Sequence, residues 1–209
     1  MRALTRTVLH LDRALGANAY LVRGRHGFVL VDPGLAKNLE RIATSMAANG
    51  LSPYHVTEIL LTHYDPDHAA SADEWARRTG ARIWVGAEDA AIMRRSAPVP
   101  RTPFRRIMRR LAPRLNSPAE LLRGEAEIAE GVRALPTPGH TPGHFTFVLD
   151  DVAFIGDAAL VGPDGALNRM PAFLDADPLQ AAASRVRLRQ LDVAWFCCGH
   201  SDPARRPGG

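Results

Sequence analysis

Long apolar runs are missing from this chain of 209 residues, and no stretch has the length and apolarity to cross a bilayer. The opening, Met1 to Thr7, lacks the apolar run of a secretory signal, so the expected address is the cytoplasm. Cysteine is scarce. Cys197 and Cys198 are adjacent, a disulfide between neighbours is strained, and there is no spaced framework, which together point to a reducing compartment. Lysine is nearly absent, with Lys37 standing alone among arginines. Acidic residues are missing between Asp89 and Glu120, where Arg94, Arg95, Arg101, Arg105, Arg106, Arg109, Arg110 and Arg114 fall. Such a stretch is either a basic field that attracts an anionic substrate, an acidic membrane surface or nucleic acid, or a solvated helix face.

What is present is ordinary for a globular protein. Apolar residues make up 46% and charged residues 23%, enough for a sizeable core in one domain of this length. We expect one domain over 1–209, with an Arg- and Pro-rich insert at about 96–118, punctuated by Pro98, Pro100, Pro103, Pro113 and Pro118. Within the insert, Phe104, Ile107, Met108 and Leu111 have helical spacing beneath the arginines. The segment reads as a mobile cover over a site or as a packed surface insert.

Short β-like runs open the chain at Thr7–Leu11, Ala19–Val22 and Phe28–Val31, separated by Gly-containing turns as in an antiparallel meander. Helical spacing covers Leu35–Ala48, with Leu39, Ile42, Ala43 and Met46 on one face, then Ala69–Arg78, Ala87–Arg95 and Leu179–Leu191. Further strands are expected at Val56–Leu61, Ala81–Val85, Val132–Leu135, Phe145–Leu149, Val152–Ile155 and Ala194–Cys198, with Asp150-Asp151 as a tight turn. Strands in two runs, each followed by helix, imply an α+β fold: two mostly antiparallel β-sheets face to face with helices outside.

The residues that carry chemistry gather where these strands end. His63, Asp65, Asp67 and His68 occupy one six-residue window after a strand; His140 sits in a Pro/Gly loop after another. Asp157 follows Val152–Ile155 through Gly156, and His200 follows the last strand through Gly199. Neutral imidazoles and carboxylates are ligands for Zn²⁺, Fe²⁺ or Mn²⁺, and two ions held ~3.5–4 Å apart share a hydroxide and grip both attacking and leaving oxygens.

The order His63, Asp67-His68, His140, Asp157, His200 resembles the metallo-β-lactamase superfamily, and in particular its small glyoxalase II-like hydrolases. Supporting it are Val31-Asp32-Pro33-Gly34, Thr62 before the first His, Thr137-Pro138-Gly139-His140-Thr141-Pro142-Gly143-His144 and Ile155-Gly156-Asp157, so that the likeness runs from about Ala19 to His200. The resemblance implies an αβ/βα sandwich with the site at one edge of the two sheets. It places His63 and His140 at a first metal, Asp67, His68 and His200 at a second, Asp157 as a bridge, and Asp32 as a residue that orients a ligand.

Three departures qualify it. Asp65 stands where the family usually has His, giving H-x-D-x-D-H; we expect it to ligate the first metal still, a weakened first site being the alternative. The added negative charge leaves a less positive site that tolerates iron or manganese better. His200 is followed by Ser201 rather than Gly, and a closing helix is missing. No C-terminal helical domain of the glutathione-binding kind follows, which argues against that activity.

The expected function is a zinc-dependent hydrolase, with two ions, using a metal-bound hydroxide held by Asp67 on an ester, thioester, lactone or amide of a small substrate, an anionic one being favoured by the arginines. The alternatives are an iron-dependent redox enzyme of the sulfur dioxygenase kind and a nucleic-acid phosphodiesterase. A nucleic-acid partner is disfavoured because the insert is short, and a homodimer is compatible with the sequence. His144 is expected to fix the loop of His140, Cys197 and Cys198 to pack, and Tyr64 to pack beside the site or line its mouth. Trp75, Trp84 and Trp195 read as core or second-layer aromatics, and His10, His26 and His55 have no assignment.

Overall fold

The computed structural model describes residues 1–11, 16–98 and 102–206. Pro100 and Arg101 of the expected insert lie outside the described residues, and Arg109 is described by its backbone alone.

The first sheet runs in sequence order through β1 (Arg2–Ala3), β2 (Val8–His10), β3 (Tyr20–Arg23), β4 (Phe28–Val31), β5 (Val56–Leu61), β6 (Arg82–Gly86) and β7 (Ala119–Leu122). Pairings up to β3–β4 are antiparallel, and those from β4–β5 onward are parallel. The change falls where connections lengthen: α1 (Asn38–Ala48) links β4 to β5, α2 (Pro66–Ala69) and α3 (Ala72–Thr79) link β5 to β6, and α4 (Ala87–Met93) and α5 (Pro103–Leu111) link β6 to β7. Such crossovers are what parallel neighbours need, whereas two-residue turns serve antiparallel ones.

The second sheet holds β8 (Ala126–Glu127), β9 (Arg133–Pro136), β10 (Phe145–Leu149) and β11 (Val152–Gly156). After the short hairpin β12 (Leu160–Val161) and β13 (Leu167–Asn168) and helix α6 (Pro178–Arg189), it is completed by β14 (Trp195–Cys198) and β15 (Ala204–Arg205). Of its pairs only β11–β14 is parallel.

Alternation along the strands builds the layers. Ile59 and Leu61 of β5 face α1 and α3 with Ile42, Met46 and Trp75, while Leu60 between them faces the second sheet with Val31, Phe147 and Phe154. On β11, Val152 and Phe154 point into that inter-sheet core, and Ala153 and Ile155 pack outward with Leu188 of α6. The result is helix, sheet, sheet, helix, the αβ/βα sandwich expected. The outer layers leave the strand ends open on one edge, where the metal-ligand candidates lie. Among the described residues no helix is long and apolar enough to cross a membrane.

Candidate metal centre

Every expected ligand comes to this edge. His63 follows β5 after Thr62; Asp65 precedes α2, and Asp67 and His68 lie in its single turn. His140 sits in the loop between β9 and β10, Asp157 follows β11, and His200 follows β14. A register shift in β11 between Phe154 and Gly156 re-aims the chain before Asp157. Gly156 has φ +47°, and a Cβ there would run into Thr62 and His144, so only glycine lets β11 pass this close to the His63 loop.

The donors fall into two groups of close atoms, His63–His140–Asp157 and Asp67–His68–His200. Asp157 stands between them: its Oδ2 is 3.9 Å from His63 Nε2, 3.5 Å from His140 Nε2 and 3.1 Å from His200 Nε2, while its Oδ1 is 3.4 Å from His68 Nε2. His200 Nε2 is also 3.3 Å from Asp67 Oδ2. Buried Nε2 atoms of His63 and His68 and Oδ1 of Asp157 have no hydrogen-bond partner among the described residues. Buried polar atoms are almost always satisfied. Three unsatisfied donors' lone pairs converging on one space are the arrangement a cation fits, and their imidazole and carboxylate chemistry suits zinc.

The far side of two of the rings fixes their tautomer. Asp32, at φ +48° after β4, accepts from Thr62 N (2.8 Å) and Thr62 Oγ1 (2.6 Å) and lies 2.8 Å from His68 Nδ1. Thr62 Oγ1, its proton given to Asp32, accepts from His63 Nδ1 at 3.0 Å. Both rings therefore carry their proton on Nδ1 and turn Nε2 inward. Asp175 Oδ1 lies 3.5 Å from His140 Nδ1 without a hydrogen bond between them. Backbone bonds from Ala176 N to His140 O and from Asp177 N to Gly139 O bind the two loops together.

Electrostatics set the two rings apart. Burial, then the neighbouring His68, holds His63 below the usual imidazole range. For His68 burial is outweighed by Asp157 and Asp32, and its pKa is driven well up. Asp157 likewise overcomes burial, through His68 and His200, and titrates well below the carboxylate range.

His144 behaves as the sequence suggests: its Nδ1 is 2.9 Å from Thr137 Oγ1, and its Nε2 accepts from Asp157 N at 3.3 Å. Burial, with His63 and His140 beside it, pushes it well below the usual range, so it stays neutral and locks the Asp157 backbone. Cys197 and Cys198 are buried on β14, with Cys198 Sγ 2.8 Å from Ser201 Oγ. Tyr64 is fully buried in the helix-side core rather than at a mouth, and burial raises it to about 12. Trp75 is core, whereas Trp84 and Trp195 are half-buried at the edge of the inter-sheet core. His10, without assignment in the sequence, is buried, stacks on Tyr20 and meets Asn18, whose side chain donates to Cys198 O and Ser201 O and so steadies the His200 loop.

Asp65 Oδ2 lies 3.5 Å from His63 Nε2 and 3.3 Å from His140 Nε2, beside the first donor group. It joins neither donor group, and both its oxygens accept from Arg105 Nη1, at 2.7 and 2.8 Å. Arg105 is wholly buried, while its neighbours Arg94, Arg106, Arg110 and Arg114 are exposed or half-buried. Its Nη2 donates to His140 Nε2 at 2.9 Å, and Nε and Nη2 donate to Leu174 O. Despite burial, the neighbouring His140 and His63 and the Arg105 charge hold Asp65 well below the carboxylate range. Sequence reasoning missed Arg105, Asp175 and Asp89. A signal existed for the first: replacing a neutral His by Asp65 in a buried cage calls for a cation nearby.

A sequence profile of the metallo-beta-lactamase superfamily matches residues 12–200. The hydroxyacylglutathione hydrolase of Acidiphilium cryptum (strain JF-5) is 35% identical over 186 residues, which are 87% of this chain and 63% of that protein; the chain thus spans less than two thirds of that relative's length. A Bacillus subtilis (strain 168) protein named "Probable metallo-hydrolase YflN" is 24% identical across 90% of this chain and 81% of its own. Among solved structures, a metallo-beta-lactamase family protein from Thermus thermophilus superposes with a TM-score of 0.73 at 26% identity, over 96% of this chain and 75% of that one.

Proposed function

Because this chain belongs to the metallo-β-lactamase superfamily, we propose that it is a metallo-hydrolase that cleaves an ester, thioester, lactone or amide bond of a small anionic substrate with water. The observation that carries this reading is the convergence of His63 Nε2, His68 Nε2 and Asp157 Oδ1, buried and unsatisfied, beside Asp67 and His200. Zinc is the favoured ion; bound there, it would polarise the scissile carbonyl and acidify the attacking water. The protein's part is to aim and to take protons. Asp32 and Thr62 hold two imidazoles with Nε2 inward. Asp67, a quarter exposed at the rim and 3.3 Å from His200, would orient the water and accept its proton at Oδ2. The solvent-facing Arg94, Arg106, Arg110 and Arg114 support an anionic substrate by steering.

The reading is tested with a panel of thioesters, lactones, esters and amides, led by hydroxyacyl thioesters, run with the purified protein, after chelation, and after zinc is restored. We expect chelation to abolish turnover and zinc to recover it, with Asp67→Asn lowering kcat about 10²–10⁴-fold. Turnover that survives complete metal removal, or a zinc-loaded protein inert across the panel, would sink the reading. Raising ionic strength should lower kcat/KM for anionic members only.

A further inference from the structure

We propose that the guanidinium of Arg105 takes the place of the first metal ion, so that this enzyme works with a single ion at Asp67, His68 and His200; the inference rests on the metal-dependent reading above.

The argument is one of lone pairs and charge. His140 Nε2 has one lone pair, and Arg105 Nη2 donates to it at 2.9 Å. A ring nitrogen engaged in that way cannot ligate an ion at the same time. Asp65, the added carboxylate of the H-x-D-x-D-H window, spends both oxygens on Nη1. Asp65 Oδ2 lies 3.3 Å from His140 Nε2 and 3.5 Å from His63 Nε2, so the guanidinium is anchored against the first donor group itself. A divalent ion placed among those donors would face a fixed positive charge at close range in a buried site, where Coulomb repulsion is poorly screened.

Arg105 is also not poised to bind substrate. It is fully buried; Nη1 is spent on Asp65, Nη2 on His140 and Leu174 O, and Nε on Leu174 O. The rings of Phe104 and Tyr64 lie 5.2 and 5.8 Å from its guanidinium carbon. The helix that delivers it has a firm start, since Thr102 caps α5 by accepting from Arg105 N and Pro103 opens its first turn. In the second donor group His68 Nε2 is unsatisfied, and His200 Nε2 lies 3.3 Å from Asp67 Oδ2 and 3.1 Å from Asp157 Oδ2. The Asp in place of His and the arginine of the insert are thus two halves of one exchange, a cation of the chain for a cation from solution.

Zinc or cobalt titration read by native mass spectrometry, with the cobalt absorption bands alongside, decides it without reference to turnover. The unaltered protein should take one tight ion per chain. His140→Ala should keep that ion, and His200→Ala should lose it. Arg105→Leu should take a second ion, with new cobalt bands. In case that variant, with Asp65 left unpaired, does not fold, the double change Asp65→His with Arg105→Met removes both partners together and should also take two. Two tight ions in the unaltered protein, falling to one in His140→Ala, would overturn the proposal, as would a single ion in both Arg105 variants. No ion in any form would instead overturn the metal-dependent reading beneath it.

Discussion

One carboxylate, Asp32, orients two of the imidazoles at the centre, His68 directly and His63 through Thr62 Oγ1. Replacing it with Ala removes the acceptor on which both Nδ1 protons depend and leaves a buried hydroxyl to find another partner. We expect ion affinity to fall about 10–100-fold, as for other residues that hold metal-binding histidines from behind, measured by competition with a chromogenic chelator. Affinity unchanged in Asp32→Ala would show that packing alone holds the rings. Histidines and aspartates at strand ends were legible in the sequence because strand ends can be read from periodicity. Asp32 was legible through its Asp-Pro-Gly turn. Asp175 was not, since it follows a short 3₁₀ turn (Ala172–Leu174) rather than a strand and reaches His140 only through the docking of two loops. Arg105 was hidden among like residues, where nothing local distinguishes the one that turns inward.

Helix α5 shows why the spacing that found it misjudged its faces. Phe104, Ile107, Met108 and Leu111 read as the buried stripe, yet Ile107 and Leu111 are 57% and 60% exposed, and the inward face is formed by Phe104, Arg105, Met108 and then Ala112. Magnitudes account for the rotation. Half-exposing two aliphatic side chains costs about 1–2 kcal/mol each, whereas leaving Asp65 buried with no cation costs about 3–5 kcal/mol. The double change Ile107→Glu with Leu111→Lys should therefore move Tm by no more than about 2 °C, because neither side chain is buried. A loss of about 5 °C or more by scanning calorimetry would mean that this face is covered in solution. Elsewhere, the β4, β5 and β10 strands matched their expected bounds, since all are strongly apolar. β1, β8, β12, β13 and β15 have two residues each, too few for a period, and β7 is buried only at Leu122, so these escaped notice.

At the scale of the molecule the centre depends on joining two sheets, and Asp89 of α4 makes much of that join. Wholly buried, it accepts from Tyr64 N (3.1 Å) on the first sheet's loop and from Thr141 Oγ1 (2.6 Å) and Gly143 N (2.7 Å) on the second's, fixing the loops of His63 and His140 against each other. Burial pushes its pKa from 3.8 up to about 7, against the pull of its three donors and with a smaller push from nearby Asp65. Because the folded value lies above the unfolded one, folding takes up a proton between them. Its contribution to stability is complete below about pH 4, declines as pH rises toward 7, and is lost above that, by at most about 4 kcal/mol. Asp65 and Asp157 act in the opposite sense, their depressed values stabilising the fold as pH rises out of the acid range. The difference between the unaltered protein and Asp89→Asn isolates the one group. Asparagine presents an amide donor to a site built of donors, so the variant should be less stable by about 1–3 kcal/mol near pH 5. The gap should narrow on going to pH 8, since only the unaltered protein must then keep a charge in that place. Urea unfolding at several pH values measures it, and a gap that stayed constant or widened would show that Asp89 is ionised in the fold throughout, its three donors outweighing its burial.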